Sequence, residues 1–269
     1  MRLQERNVLI TGASSGIGEA TARVLAARGA RLILVARRSN ELERVQASLR
    51  KTGNTQQIEI VSADITRDSD RKRVRKTVER LGELHVLINN AGITAHGRYD
   101  ESVPAVLRKT FELNFFAATE LTGELLPIIK RSSGDKMIVY VSTPSGLYGI
   151  PGRFAYSSSK AAGHAWMESI RFELEQDHIQ TLIFCPGYTR TALRTSGLDE
   201  KGQIISEEQA RGAASPEHIA SLLCRGMERN RRLVLTNLNG RVIYLLRTLA
   251  PGLLFRLISK KLKKDFHRA

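Results

Sequence analysis

The sequence predicts an α/β fold: a doubly wound parallel sheet of about seven strands in three layers, with helices on both faces. Three observations predict it. Short runs rich in Leu, Ile and Val recur at residues 7–10, 31–35, 58–61, 84–88, 137–141, 181–184 and 233–235. Runs that are apolar on both faces suit strands covered from each side. Between them lie longer stretches with helical spacing, such as 18–28 and 39–51. Finally, a glycine-rich turn follows the first run directly and opens the first helical stretch. No Pro/Gly/Ser linker divides the chain and no internal repeat is visible. The expected organisation is one α/β domain over residues 1–239 and a basic amphipathic extension over residues 240–269.

The bulk properties exclude several classes. A chain of 269 residues with 42% hydrophobic and 26% charged residues can bury a substantial core and is not of disordered composition. The first residues run straight into an apolar strand pattern and read as lacking a signal segment. Cys185 and Cys224 form no disulfide framework and no metal-ligand spacing, so no metal is expected, and they fit a reducing cytoplasm. The net charge of +15 is unusual. It is compatible with nucleic acid, an anionic membrane surface or an acidic ligand as partner.

The turn after the first strand reads Thr11-Gly12-Ala13-Ser14-Ser15-Gly16-Ile17-Gly18. Glycines permit a tight turn and close backbone approach, and a helix N-terminus offers unpaired N–H groups to a pyrophosphate. The spacing, Gly-x3-Gly-x-Gly, departs from the more familiar Gly-x-Gly-x2-Gly. A tight strand-to-helix connection is the plainer alternative. Placed after a first strand, the loop favours dinucleotide binding through Gly12, Ser14, Ser15, Gly16, Ile17 and Gly18.

The second strand bears on which dinucleotide. An acidic residue at its end would bind the adenosine ribose hydroxyls and favour NAD. Here the strand ends Leu34-Val35-Ala36-Arg37-Arg38. No carboxylate repels a phosphate, and two guanidiniums offer planar forks of donors. Both changes favour the 2′-phosphate of NADP(H), with Arg37 the first choice for the contact and Arg38 the second. A solvated pair of arginines opening a helix is the alternative.

Residues 155–162, Ala-Tyr-Ser-Ser-Ser-Lys-Ala-Ala, begin a helix after the fifth strand. Tyr156 and Lys160 stand at i and i+4 and share one face. A phenol titrates near 10 in water, and an adjacent ammonium stabilises its anion, so the pair suits general acid/base work. By itself such a pair is usually no more than a helix face.

Taken together, Thr11 to Gly18, Asn89-Asn90-Ala91-Gly92, Asn114, Tyr156 with Lys160, and Pro186-Gly187 resemble the short-chain dehydrogenase/reductase family, in order and spacing, to about Leu235. The resemblance implies a Rossmann-like sheet of seven parallel strands and a homo-oligomer. It implies that Tyr156 protonates a carbonyl oxygen, that Lys160 holds the nicotinamide ribose and lowers the pKa of Tyr156, and that Asn114 anchors a water of the proton relay. Asp64 with Ile65 would lie by the adenine, and Asn90, Ala91 and Gly92 would line the cofactor. Pro186, Gly187, Thr189 and Thr191 would pack around the nicotinamide carboxamide. The family's serine thirteen residues before the tyrosine is replaced by Thr143, with Ser142 beside it as a substitute. Thr keeps the hydroxyl but adds a methyl and a stiffer χ1, and Pro144 restricts its backbone.

Residues 191–215 are polar and glycine-dotted and follow a strand's C-terminal end. Ligands bind at that edge, so this segment is expected to be a substrate lid, a surface loop being the alternative.

From residue 241 onward the sequence has eight Lys or Arg and one acidic residue, Asp265. Arg247, Pro251 and Arg256 interrupt the apolar run, which predicts two amphipathic helices broken at Pro251 rather than a spanning helix. Their apolar face could cover the domain or a second subunit, or lie in an anionic membrane interface, which would suit a lipid-like substrate. Nucleic acid is not expected, since no reading motif accompanies the charge.

The functional expectation is an NADP(H)-dependent oxidoreductase acting on a ketone/secondary alcohol pair, cytoplasmic or peripheral at the inner face of a membrane. The competing expectation is a non-catalytic NADP(H)-binding module for regulation or assembly. Tyr156, Lys160, Asn114 and Thr143 oppose the latter, because such a module has no need of a proton relay.

Overall fold

In a computed structural model, residues 1–51, 57–191, 197–205 and 212–266 are described, with side chains to residue 260. The seven apolar runs all become strands of one parallel sheet. These are β1 (Asn7–Thr11), β2 (Arg31–Ala36), β3 (Ile58–Ser62), β4 (Val86–Asn89), β5 (Lys136–Val141), β6 (Ile179–Cys185) and, last, Leu233–Leu235. Two short strands precede that last one, β7 (Gly197–Leu198) and β8 (Ile204–Ile205), so Leu233–Leu235 is β9. The order across the sheet is β3-β2-β1-β4-β5-β6-β9.

Alternation along the strands builds two cores. Val8 and Ile10 of β1 face one side, with Met137 and Val139 of β5. That side is covered by α1 (Gly16–Ala26), α2 (Ser39–Lys51) and α7 (Pro216–Glu228), through Leu25, Leu42, Val45 and Leu223. Leu9, Ile138 and Tyr140 face the other side. There α3 (Asp68–Leu81), α5 (Ala117–Arg131) and α6 (Phe154–Glu175) cover them, through Val78, Leu125 and Met167. The two-residue period of a strand makes both faces apolar, and each face needs a helical layer to exclude water.

The chain crosses from one side of β1 to the other between β3 and β4, so β1 and β4 flank the switch point where such sheets bind ligands. At that edge α4 (Pro104–Phe111) runs into a π turn over Glu112–Phe116 before α5 begins. A third, small core of Ala95, Val106, Ala155 and Leu198 closes the edge.

Part of the expected lid lies outside the described residues, namely 192–196 and 206–211. Its central part, β7 and β8, is an antiparallel ribbon tied to the loop after β4. His96 N–H donates to the Leu198 carbonyl at 2.7 Å and Leu198 N–H to the Thr94 carbonyl at 3.0 Å. The C-terminal segment forms α8 (Leu238–Leu249) and α9 (Pro251–Phe266).

Candidate functional site

The glycine loop takes the shape its residues permit. Gly12 and Gly16 have φ of +66° and +58°, the left-handed region that favours glycine. Gly18 is required for closeness: a β-carbon there would sit 2.7 Å from Asn90 Nδ2 and clash with the Gly12 carbonyl. Asn90, directly after β4, holds the loop by donating to the Thr11 and Gly12 carbonyls at 2.9 and 3.3 Å. The Thr11 hydroxyl accepts from Asn90 and Ala91 N–H, both at 3.0 Å. The loop is thus bound to the strand on the far side of the switch point. Ser15 occupies the N-cap of α1 without a side-chain cap, so its hydroxyl does not satisfy the first N–H groups of that helix.

Arginines crowd this loop. Arg38 donates to the Ser14 and Ser15 hydroxyls at 3.2 and 3.4 Å. Arg37 is exposed, and its carbonyl accepts from the Ser62 hydroxyl at 3.0 Å. Sequence reasoning missed Arg44. It donates to the Ser14 carbonyl at 3.3 Å and pairs with Glu19 at 2.8 Å, which raises its pKa. No sequence signal pointed to it, since its partners Ser14 and Glu19 lie 30 and 25 residues away in the chain. Asp64 accepts from the Thr66 N–H and hydroxyl at 3.1 and 2.8 Å, and Ile65 is buried.

On the other side of the switch point, Tyr156, Lys160 and His164 follow one stripe of α6, four residues apart. The Tyr156 side chain is half-buried in crowded surroundings that push its pKa up to about 12. Arg153 pulls it back most, and hydrogen bonding from the Thr143 hydroxyl does so less. Lys160 was expected in that role. Here its buried ammonium donates to the Val141 carbonyl at 2.9 Å and lies 4.8 Å from the centre of the Tyr140 ring. Burial brings its pKa down to about 8. Arg153 itself donates to the Thr94 hydroxyl at 3.2 Å and to His96 Nε2 at 2.9 Å.

Asn114 is fully buried inside the π turn. Such a turn inserts an extra residue and re-aims side chains, often where a site needs it. The Asn114 amide accepts from Ile93 N–H at 2.8 Å and donates to the Ile93 carbonyl and the Ser159 hydroxyl, each at 3.0 Å. The Tyr140 hydroxyl donates to the Asn114 carbonyl at 2.7 Å. Gly92 completes the group: a β-carbon there would stand 2.9 Å from Asn114 Oδ1 and 3.4 Å from Lys160 Nζ.

Thr143 and Ser142 divide their work. The Thr143 hydroxyl accepts from Ser145 N–H at 3.3 Å and faces Tyr156. The Ser142 hydroxyl points into the core, 2.6 Å from His164 Nε2, with the Cys185 thiol 3.7 Å from the same nitrogen. Burial, then the nearby Lys160 and Arg247, bring the His164 pKa down to about 4, so it is neutral at physiological pH. Sequence reasoning missed His164 and Tyr140 because single residues of these types carry no motif.

After β6, Pro186 is buried, Gly187 N–H donates to the Thr236 hydroxyl at 2.8 Å, and the Thr189 hydroxyl donates to the Gly187 carbonyl at 3.0 Å. Thr191 packs on the glycine loop, where a β-carbon at Gly16 would be 3.1 Å from its own. The chain therefore gathers its candidate residues into two clusters along one sheet edge. One is suited to phosphates and one to proton transfer. Among the described residues, no group of His, Cys, Asp or Glu is placed to hold a metal ion.

Comparison with known proteins identifies the family and the fold. A sequence profile of the family described as short chain dehydrogenase matches residues 6–202. The chain is 32% identical over 270 residues to the mouse (Mus musculus) dehydrogenase/reductase SDR family member 7B, covering 98% of this chain and 83% of that protein. It is 35% identical to the dehydrogenase/reductase SDR family protein 7-like of Anopheles gambiae, covering 97% and 84%. Among solved structures, a short-chain dehydrogenase from Sphingobium yanoikuyae in complex with NADPH superimposes with a TM-score of 0.79 at 26% identity, over 98% of this chain and 97% of that one. A short-chain dehydrogenase/reductase from Burkholderia phymatum in complex with NAD gives 0.83 at 23% identity, over 94% and 96%, a likeness of fold.

Proposed function

Because the chain belongs to the short-chain dehydrogenase/reductase family of oxidoreductases, we propose that it is an NADP(H)-dependent enzyme that interconverts a ketone and a secondary alcohol, with an apolar, lipid-like substrate. The observation that carries the reading is that Thr143 faces Tyr156, while Lys160, on the same stripe of α6, stands with Asn114 beside Gly92.

The residues present fit a phosphorylated dinucleotide. The uncapped start of α1 and the close-packed loop around Gly12, Gly16 and Gly18 suit a pyrophosphate. Arg37 and Arg38 suit the 2′-phosphate, with Arg38 already folded over Ser14 and Ser15. Lys160 would hold the nicotinamide ribose, and Asn90, Ala91, Gly92, Pro186, Gly187, Thr189 and Thr191 would line the remainder. Asp64 and Ile65 would flank the adenine. The bound nicotinamide supplies the hydride in one direction and accepts it in the other.

The chain's own residues handle the proton. Tyr156 is protonated near neutrality, because burial outweighs Arg153 and Thr143, and a protonated phenol is the form that donates to a carbonyl oxygen during reduction. The Thr143 hydroxyl polarises the same oxygen. Lys160 and Asn114 continue the path for returning the proton. The chain would work as a homo-oligomer, as its family commonly does.

The test is NADPH oxidation across a panel of ketones of increasing chain length, comparing wild type with Tyr156→Phe. The proposal expects turnover that improves with chain length and falls by at least about 10²-fold in the variant. Cofactor binding with no turnover on any member would favour a non-catalytic binding module instead.

A further inference from the structure

The helices α8 and α9 carry an apolar stripe that is uncovered among the described residues. Leu238, Leu245 and Leu249 are 73%, 56% and 72% exposed, and Phe255 on α9 is 63% exposed. Residues 238, 245 and 249 are seven and four apart, so they lie along one side of α8. The opposite side of α8 is committed to the site. Gly240 packs against Pro144, since a β-carbon there would meet the proline ring at 3.1 Å, and the Arg247 guanidinium donates to the Leu147 carbonyl. Both contacts fall on the turn that follows Thr143. The start of the helix is fixed as well: Asn237 caps it by accepting from Gly240 N–H at 2.9 Å.

Charge selects the occupant of the exposed stripe. The extension carries eight Lys or Arg against one acidic residue from residue 241 onward, so two copies meeting through it would bring like charges together, whereas an anionic surface is attracted. An apolar stripe beside dense positive charge is the combination that binds at the plane of a lipid headgroup layer. No helix among the described residues is long and apolar enough to cross a membrane. The pair would therefore lie along the surface.

We infer that α8 and α9 form an interfacial anchor that seats this chain on an anionic phospholipid surface, with the Thr143 turn held directly beneath it. The inference rests on the proposed reading in one respect: the Thr143 turn matters because it belongs to the carbonyl-reducing site. Seated this way, the site meets apolar ketones where they concentrate.

The test is cosedimentation of the full chain with vesicles of phosphatidylcholine alone and of phosphatidylcholine with phosphatidylserine, at low and high salt. The expected result is pelleting with the phosphatidylserine vesicles, reversed as salt rises. In a Leu245→Asp/Leu249→Asp chain the bound fraction falls about tenfold or more, while kcat/KM for a water-soluble ketone stays unchanged, showing the fold intact. A full chain that stays in the supernatant with phosphatidylserine vesicles at low salt overturns the inference. So does a double variant that pellets as well as wild type. A double variant whose sedimentation mass drops in lipid-free buffer assigns the stripe to a second copy and overturns it too. Absence of turnover in the wild type counts against the reductase reading and leaves the vesicle result standing.

Discussion

Gly163 leaves the space that the Tyr140 ring fills: a β-carbon at residue 163 would lie 2.5 Å from the Tyr140 hydroxyl and would clash with the ring itself. That ring lies under the Lys160 ammonium, and its hydroxyl donates to the Asn114 carbonyl. A missing methyl on α6 thereby sets the positions of two residues of the proposed proton path.

Gly163→Ala should cost about 1–3 kcal/mol through overpacking, against at most about 1 kcal/mol regained from helix propensity. Urea denaturation measures the first effect. kcat/KM should fall as well, because Tyr140 cannot move without disturbing Lys160 and Asn114. An alanine chain with wild-type stability and turnover would show that the Tyr140 contact is unimportant.

His164 gives the fold an acid sensitivity. Its pKa is about 4 in the folded chain against 6.5 as the reference value. Between those values the unfolded chain binds more protons, so stability rises with pH across the window and is lost as pH falls through it. The contribution is on the order of 3 kcal/mol. In His164→Gln this part of the pH dependence of the denaturant midpoint should disappear, while the Ser142 hydroxyl can keep a partner.

Arg38→Ala and Arg37→Ala should each weaken NADPH binding by roughly tenfold to a hundredfold, the worth of a charge-assisted bond to phosphate. NADH binding should change little. Fluorescence titration with both cofactors measures the two ratios, and Arg38 should have the larger effect because its guanidinium already reaches the glycine loop. Equal losses for both cofactors would mean that the arginines support the loop rather than select the phosphate.

Thr143→Val keeps the volume and removes the hydroxyl. kcat/KM should fall roughly 10²–10³-fold, and Thr143→Ser should retain most activity. Ser142→Ala should leave the chemistry far less affected and should act on stability, since its hydroxyl bonds His164 in the core.

Arg153 is the largest influence lowering the Tyr156 pKa. Oxidation of an alcohol needs the phenolate, so Arg153→Met should move the rising limb of the kcat/KM profile for oxidation to higher pH. A profile unmoved by the substitution would show that Arg153 does not act on the phenol.

The sequence by itself determined the sheet and the lines along which chemistry is hung. Strand runs such as residues 32–35 and 137–141 are apolar at every position, so they must be covered on both faces whatever their neighbours. The glycine loop and the spacing of Tyr156 to Lys160 are local geometry, readable over a few residues. Tertiary structure decided what each polar group faces. That the Ser142 hydroxyl turns inward to His164 while Thr143 turns to Tyr156 depends on the approach of α6 to β5, a contact across some twenty residues. That Lys160 donates to the Val141 carbonyl, that Arg44 reaches Ser14 and that Arg247 reaches Leu147 are likewise products of packing. Hydrogen bonds and electrostatic shifts depend on distance and burial, and a one-dimensional pattern carries neither for residues far apart in the chain.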